Sequence, residues 1–220
     1  MMQLVTTHDG SHTLYVPHLD EHYHSTFGAI TESRHVFIDA GLYCRMAGPE
    51  ISVLEVGFGT GLNALLTCIA ARDKKVKVTY HALEKFPVDS VMTEKLNYAS
   101  SLPQSPDAEN LFAGIHQASW NEKTIIHPFF HLHKILDDLA DFQPVFQYDL
   151  VYFDAFSPDK QPEMWTHAIF NRLYKGLNPD GILITYCVKG TVKRMLKTAG
   201  FLIEKLPGPP GKREILRGKK

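Results

Sequence analysis

The sequence predicts an α/β fold built on a mostly parallel, seven-stranded sheet. Three observations carry this. From residue 51 onward, short apolar segments alternate with longer segments of helical character, as in repeated β-α units whose sheet is covered on both faces. One segment, Val53-Leu54-Glu55-Val56, runs into Gly57-Phe58-Gly59-Thr60-Gly61 and then into the apolar run Ala64-Leu65-Leu66; that is a strand, a tight turn and a helix N-terminus. Of the 220 residues, 44% are hydrophobic and 21% charged, ordinary for a chain that builds a core as one large domain or one domain with an extension.

The elements follow in order. Residues 1–50 read as an N-terminal extension packed on a main domain of residues 51–220. Within it, residues 4–7 and 13–16 flank a turn containing Asp9-Gly10, which predicts a hairpin. A polar-aromatic stretch, Tyr23 to Gly28, leads into a short helix over 29–41. Strands are expected at 51–57, 76–84, 124–130, 148–154 and 181–188, with a closing pair at 201–206 and 213–216. Helices are expected at 62–72, 87–98, 132–142, 162–176 and 191–199. Pro207-Gly208-Pro209-Pro210-Gly211 is a rigid turn between the last two strands.

Several classes are excluded. No apolar run approaches the ~18 residues that cross a bilayer. The first residues lack a basic region followed by an apolar one, so no signal peptide is expected. Cys44, Cys68 and Cys187 are odd in number and far apart, which predicts neither a disulfide framework nor a zinc site. A reducing cytoplasm is the simplest compartment. His127, His131 and His133 have no fourth ligand at sensible spacing, so no metal is expected. Net charge is −1, but the last 35 residues hold ten Lys/Arg against two acids, leaving 13 basic and 22 acidic residues elsewhere. A basic end on an acidic body is either a footprint for RNA or another polyanion, or a solvated tail.

Three glycines at alternate positions exceed what a plain strand-to-helix turn needs; they let the backbone take positive φ and let a ligand approach without a Cβ in the way. The dinucleotide fingerprint requires glycine where Leu62 stands, and a phosphate loop requires Gly-Lys-Ser/Thr where Gly61-Leu62-Asn63 stands. Both phosphate readings fail on residues. Ligands of open α/β sheets sit beyond the carboxyl ends of the strands, where two acids fall. Glu84 ends the second strand, 27 residues past Gly57; it either accepts two ribose hydroxyls or caps a helix. Asp154 ends the fourth strand and is followed by Ala155-Phe156-Ser157-Pro158; it either holds a polar substrate group or caps a turn.

Glu55-x-Gly57-x-Gly59-x-Gly61 resembles the first motif of S-adenosylmethionine (SAM) methyltransferases, and the strand layout resembles their Rossmann-like class I fold. More specific matches are Tyr23-His24-Ser25-Thr26-Phe27-Gly28-Ala29-Ile30-Thr31-Glu32-Ser33-Arg34-His35-Val36-Phe37, Glu84-Lys85-Phe86-Pro87, Phe153-Asp154-Ala155-Phe156-Ser157-Pro158-Asp159-Lys160-Gln161-Pro162-Glu163-Met164-Trp165 and Gly211-Lys212-Arg213-Glu214. In order along most of the chain, they resemble the bacterial tRNA 5-methylaminomethyl-2-thiouridine methyltransferases, which occur alone or fused to a flavin oxidoreductase. The resemblance makes residues 51–220 the methyltransferase domain of the stand-alone form. It implies methyl transfer from SAM to the primary amine of 5-aminomethyl-2-thiouridine at the tRNA wobble position, with a separate flavin oxidoreductase acting earlier. A monomer is expected. By the same resemblance, Glu55, Gly57, Gly59, Thr60, Gly61, Asn63, Glu84, Lys85 and Asp154 hold the cofactor. The family's Gly-Asp near the adenine has no counterpart in Phe129-Phe130-His131-Leu132-His133-Lys134, which carries no acid.

An alkylammonium has no lone pair, so N-methylation needs the neutral amine. A dry pocket lowers the amine's pKa while a nearby carboxylate raises it. Asp154 is therefore expected chiefly to orient the amine N–H and only secondarily to accept its proton, not to act as a strong base. Tyr23, His24, Ser25, Phe156, Ser157 and Pro158 are expected around the substrate, with His24 either a base or a structural histidine. Phe156 and Trp165 are candidates for stacking a flipped base, and Trp165 is equally a core anchor. Lys160, Lys189, Lys193, Arg194, Lys212 and Arg213 are candidates for phosphate contact. The competing readings are a SAM methyltransferase acting on another amine, small molecule or protein, and a non-enzymatic SAM-fold binding module.

Overall fold

The computed structural model describes residues 2–220. Its N-terminal part is a three-stranded antiparallel sheet of β1 (Gln3–Thr6), β2 (His12–Val16) and β3 (Glu21–His22). The hairpin expected around Asp9-Gly10 is present, and Gly10 takes φ +83° there. Asp9 organises this corner by accepting from Thr7, Ser11 and Thr31. The helix expected over 29–41 is α1 (Ala29–Ser33), continued by a π-helical stretch (Arg34–Asp39) and a short 3-10 turn (Leu42–Cys44). Leu14, Val36, Phe37 and Leu42 are buried in one cluster with Val53 and Ile184 of the main sheet and Leu65 of a helix packed on it.

The main sheet has eight strands rather than seven. In chain order they are β4 (Glu50–Val56), β5 (Lys77–Glu84), β6 (Lys123–His127), β7 (Phe130–Leu136), β8 (Tyr148–Phe153), β9 (Leu177–Thr185), β10 (Leu202–Pro207) and β11 (Glu214–Lys219). Their spatial order is β10-β11-β9-β8-β4-β5-β7-β6. The five inner strands β9, β8, β4, β5 and β7 pair in parallel, while β6 at one edge and β11 and β10 at the other pair antiparallel. The helices are α2 (Leu62–Lys74), α3 (Ser90–Thr93), α4 (Ala108–Gln117), α5 (His167–Lys175) and α6 (Gly190–Ala199).

The eighth strand corrects the reading of residues 124–142. The strand expected at 124–130 and the helix expected at 132–142 are instead a hairpin of β6 and β7 followed by a turn. Phe130, Leu132 and Lys134 are buried while His131, His133 and Ile135 are half-buried, a period of two that a strand shows and a helix does not. Lys134 occupies an inward position because its ammonium donates to the carbonyl of His116 at 2.9 Å and lies 4.9 Å from the centroid of the Trp120 ring. The helix expected at 87–98 is a single turn, capped by Asp89, whose side chain accepts from the N–H of Val91. The unexpected helix is α4, whose Ala108, Leu111 and Ile115 point into the core.

Candidate active site

The carboxyl ends of β4, β5, β7 and β8 open into one cleft of about 850 Å³. Its floor is the turn between β4 and α2. Gly57, Gly59 and Gly61 take φ of +87°, +51° and +76°, a region that favours glycine. The space beside each is filled by the protein itself. A Cβ on Gly57 would come within 2.7 Å of the Asp154 carbonyl oxygen, one on Gly59 within 3.0 Å of the Tyr23 ring, and one on Gly61 within 2.9 Å of His116 Nε2. The glycines thus let the turn pack against β8, the N-terminal extension and α4 at once.

Thr60, 1% exposed, is the hub of that packing. Tyr98 donates its hydroxyl to Thr60 Oγ1 at 3.2 Å, and Thr60 Oγ1 lies 2.8 Å from His24 Nε2. The Thr60 carbonyl pairs with His116 Nε2 at 3.1 Å. Burial holds the His24 imidazole down at about 4, so it is neutral near pH 7. Its Nε2 is engaged by a buried hydroxyl of the turn. Thr60→Val is expected to leave the Tyr98 hydroxyl and His24 Nε2 without their buried partner. It should cost about 2 kcal/mol or more, read as a lower urea midpoint with unchanged slope.

Glu84 ties the second strand end to the same turn. Its Oε2 accepts from the Gly59 N–H at 3.0 Å and its Oε1 from the Phe86 N–H at 2.8 Å. Burial raises its carboxyl above the ordinary value. Lys85 beside it pairs with Asp138 at 2.7 Å. Asp137 and Asp138 follow β7 and line the cleft. They lie just beyond residues 129–134, because the strand continues to Leu136 before it ends. The alternation from Phe130 to Leu136 was the available signal.

Asp154 stands where β8 leaves the sheet. Its Oδ2 accepts from Asn63 Nδ2 at 2.8 Å, and Asn63 lies in the first turn of α2. Burial pushes the Asp154 carboxyl up to about 7, against the lowering effect of the Asn63 bond. Tyr23 and Phe156 pack edge to face across the cleft with centroids 4.9 Å apart. Ser157 donates to Glu21 Oε2 at 3.0 Å. Trp165 is 4% exposed, donates its ring N–H to the Phe156 carbonyl at 2.7 Å and packs on Phe153; it is the core anchor of its two readings.

The cleft brings together Tyr23, His24, Ser25, Gly57, Gly59, Thr60, Asn63, Glu84, Lys85, Asp154, Phe156, Ser157, Lys160 and Lys212. Besides Trp165, seven expected residues stand apart from its lining, Lys193 and Arg194 among them. Glu55 is wholly buried in β4 beside Tyr80 and Asn63; burial holds its carboxyl well above the ordinary value, as a neutral acid in the core. Gly61 faces His116 and Phe58 behind the turn. Pro158, Lys189 and Arg213 flank the lining residues Ser157, Tyr186 and Lys212 without joining them. The cations are also less free than expected: Lys160, Lys189 and Lys212 pair with Asp20, Asp159 and Glu32.

Residues 114–220 match a family described as S-adenosyl-L-methionine-dependent methyltransferase. Over 219 residues the chain is 32% identical to the tRNA 5-methylaminomethyl-2-thiouridine biosynthesis bifunctional protein MnmC of Magnetococcus marinus, covering 94% of this chain and 32% of that protein. The protein of the same name from Leptospira borgpetersenii is 32% identical over 213 residues, covering 91% and 32%. The chain thus spans about a third of the length of the curated relatives it matches. The crystal structure of MNMC2 from Aquifex aeolicus superposes with a TM-score of 0.81 at 26% identity, covering 99% of this chain and 69% of that one. Over nearly its whole length the chain is thus similar to MnmC proteins, and its second half matches a SAM-dependent methyltransferase family. Spermidine synthase from Thermotoga maritima shares the fold, with a TM-score of 0.56 at 12% identity over 100% of this chain and 71% of that one.

SAM is the cofactor of this methyltransferase domain, and the cleft fits it. Its volume lies in the upper range for small-molecule sites, with room for a second reactant. Glu84, Asp137, Asp138 and Asp154 line it, which suits a sulfonium cation.

Proposed function

We propose that this chain methylates the primary amine of 5-aminomethyl-2-thiouridine at the tRNA wobble position, giving 5-methylaminomethyl-2-thiouridine. The observation that carries the reading is Asp154: a recessed carboxyl, raised to about 7, held by Asn63 at the mouth of the cleft. Gly57, Gly59, Asn63, Glu84 and Lys85 would hold SAM, which supplies an electrophilic methyl group when bound. An ordinary carboxylate is a poor acceptor for an ammonium proton. One raised to about 7 is better matched to proton transfer near neutral pH. Asp154 accepts a hydrogen bond from the amine, takes its proton and leaves the nitrogen lone pair aimed at the methyl group. Tyr23 and Phe156 form an aromatic wall that excludes water and packs on the nucleobase. The relatives' names, which specify tRNA 5-methylaminomethyl-2-thiouridine biosynthesis, support tRNA as partner and the anticodon region as the part that enters. A separate flavin oxidoreductase would supply the primary amine, and the protein would work as a cytoplasmic monomer.

The test is methyl transfer from labelled SAM to bulk tRNA lacking the modification, followed by nucleoside mass spectrometry. One added methyl on 5-aminomethyl-2-thiouridine is expected. No transfer with SAM binding intact would remove the tRNA substrate and leave the alternative, another amine. The ion pairs refine the salt dependence. A phosphate must displace a carboxylate at Lys160, Lys189 and Lys212, whereas Lys193, Arg194 and Arg213 form no ion pair among the described residues. Three such contacts predict a log–log slope of tRNA affinity against salt of about −2, checked by titration at several salt concentrations.

A further inference from the structure

Glu32 lines the cleft but has no part in the chemistry above. It lies in α1 and is 7% exposed. Its Oε2 accepts from the Ser25 N–H at 2.7 Å, and its Oε1 takes the ammonium of Lys212, 180 residues away between β10 and β11. The same ammonium stands 4.2 Å from the centroid of the Tyr186 ring. Tyr186 donates its hydroxyl to the Ala155 carbonyl at 2.9 Å, one residue beyond Asp154. A continuous chain of contacts therefore crosses the cleft from Ser25 to the residue beside the reacting carboxyl. The seam around it is tight: a Cβ on Gly211 would come within 2.4 Å of the Phe27 ring, and His35 Nε2 bonds the Pro207 carbonyl at 2.8 Å.

Glu32 is buried and Lys212 partly so; an ion pair withdrawn from water adds little net stability over an apolar replacement, and its best-attested use is to fix one arrangement among several. Here the arrangement is the spacing of two walls, one from the N-terminal extension and one from the closing hairpin. We propose that Glu32 is a positioning residue for the methyl acceptor: through Ser25 and Lys212 it holds these walls at the separation that lets an amine reach Asp154. This rests on the reading that the cleft takes the aminomethyl group of tRNA. Lys212 then serves from inside the cleft rather than on a phosphate.

The test uses Glu32→Ala, Glu32→Gln and Lys212→Met in the full chain, assayed with labelled SAM and tRNA lacking the modification. Glu32→Ala and Lys212→Met should each lower kcat about tenfold or more, with the SAM Kd within about twofold, since misplacement by an ångström costs that much or more. Glu32→Gln keeps an acceptor for Ser25 and should retain more activity than Glu32→Ala. The Glu32→Ala/Lys212→Met double variant should be no worse than the poorer single, because both break one contact. Amide hydrogen exchange, which needs no acceptor, should accelerate in Glu32→Ala at residues 25–28 and 208–213 and not in α2. An unchanged kcat, or a SAM Kd that worsens in step with it, overturns the proposal. If the wild type binds SAM and leaves tRNA unmethylated, the tRNA reading falls instead. The exchange pattern then decides the clamp alone, and no acceleration at those segments overturns it.

Discussion

Asp154→Asn should lower the methyl-transfer rate by about 10²–10⁴-fold, the usual worth of a positioned proton acceptor. The substitution conserves volume and still accepts from Asn63 Nδ2, so the loss reports chemistry rather than collapse of the turn. The pH profile separates the two further. With a carboxyl raised to about 7, wild-type kcat/KM should climb as pH rises and bend near 7, where Asp154 becomes the carboxylate that can take a proton. The variant should lack that bend and keep only the rise from the amine's own ionisation. Stability has the opposite sign. A carboxyl whose folded value is raised binds more protons folded than unfolded, so between 3.8 and about 7 the wild type loses stability as pH rises. Asn carries no such dependence. The variant should therefore gain thermal stability relative to wild type from pH 4 to pH 8 while losing activity, a trade-off expected where a site stores an unfavourable charge.

Gly57→Ala should damage stability and activity together. The residue sits at φ +87°, which costs a non-glycine residue about 1–3 kcal/mol. The added Cβ would also stand 2.7 Å from the Asp154 carbonyl oxygen and 3.2 Å from its carbonyl carbon. Both are backbone atoms, so relief comes only by moving the end of β8 away from the turn. A total near 3 kcal/mol corresponds to a Tm drop of about 6–12 °C for a chain of this size. Activity should fall further than stability explains, by about 10²-fold or more, because the displaced element carries Asp154. Calorimetric unfolding and single-turnover assays at a temperature where the variant is folded measure the two effects apart.

What the sequence made legible was local. The strand-turn-helix at Val53 to Ala71, the acids Glu84 and Asp154 at strand ends, and the N-terminal hairpin each announce themselves within a dozen residues. The β6-β7 hairpin was misread because Phe130-His131-Leu132-His133-Lys134-Ile135-Leu136 places a lysine inward, where alternation alone does not expect one; its partners, the His116 carbonyl and the Trp120 ring, come from other elements. That error hid Asp137 and Asp138. Helix α4 carried its apolar residues at 108, 111, 112 and 115, the i, i+3, i+4, i+7 spacing of a buried helix face, and was there to be found. The role of Thr60 was not, since its partners His24, Tyr98 and His116 converge from three separate segments. Nor was the pairing of Glu32 with Lys212: both lay in recognisable motifs, but which acid meets which base is fixed only when the extension folds over the closing hairpin. The glycine turn was legible in position and in its positive φ, but not in the close packing of Tyr23, His116 and the backbone of Asp154 beside it.

The most direct measurement is single-turnover methyl transfer from labelled SAM to two synthetic anticodon stem-loops, one carrying 5-aminomethyl-2-thiouridine at the wobble position and one carrying plain uridine. The account predicts one methyl on the aminomethyl nitrogen of the first, none on the second, and a rate that collapses in Asp154→Asn. Methylation of the plain stem-loop, or none of the modified one by a protein that still binds SAM, would contradict it.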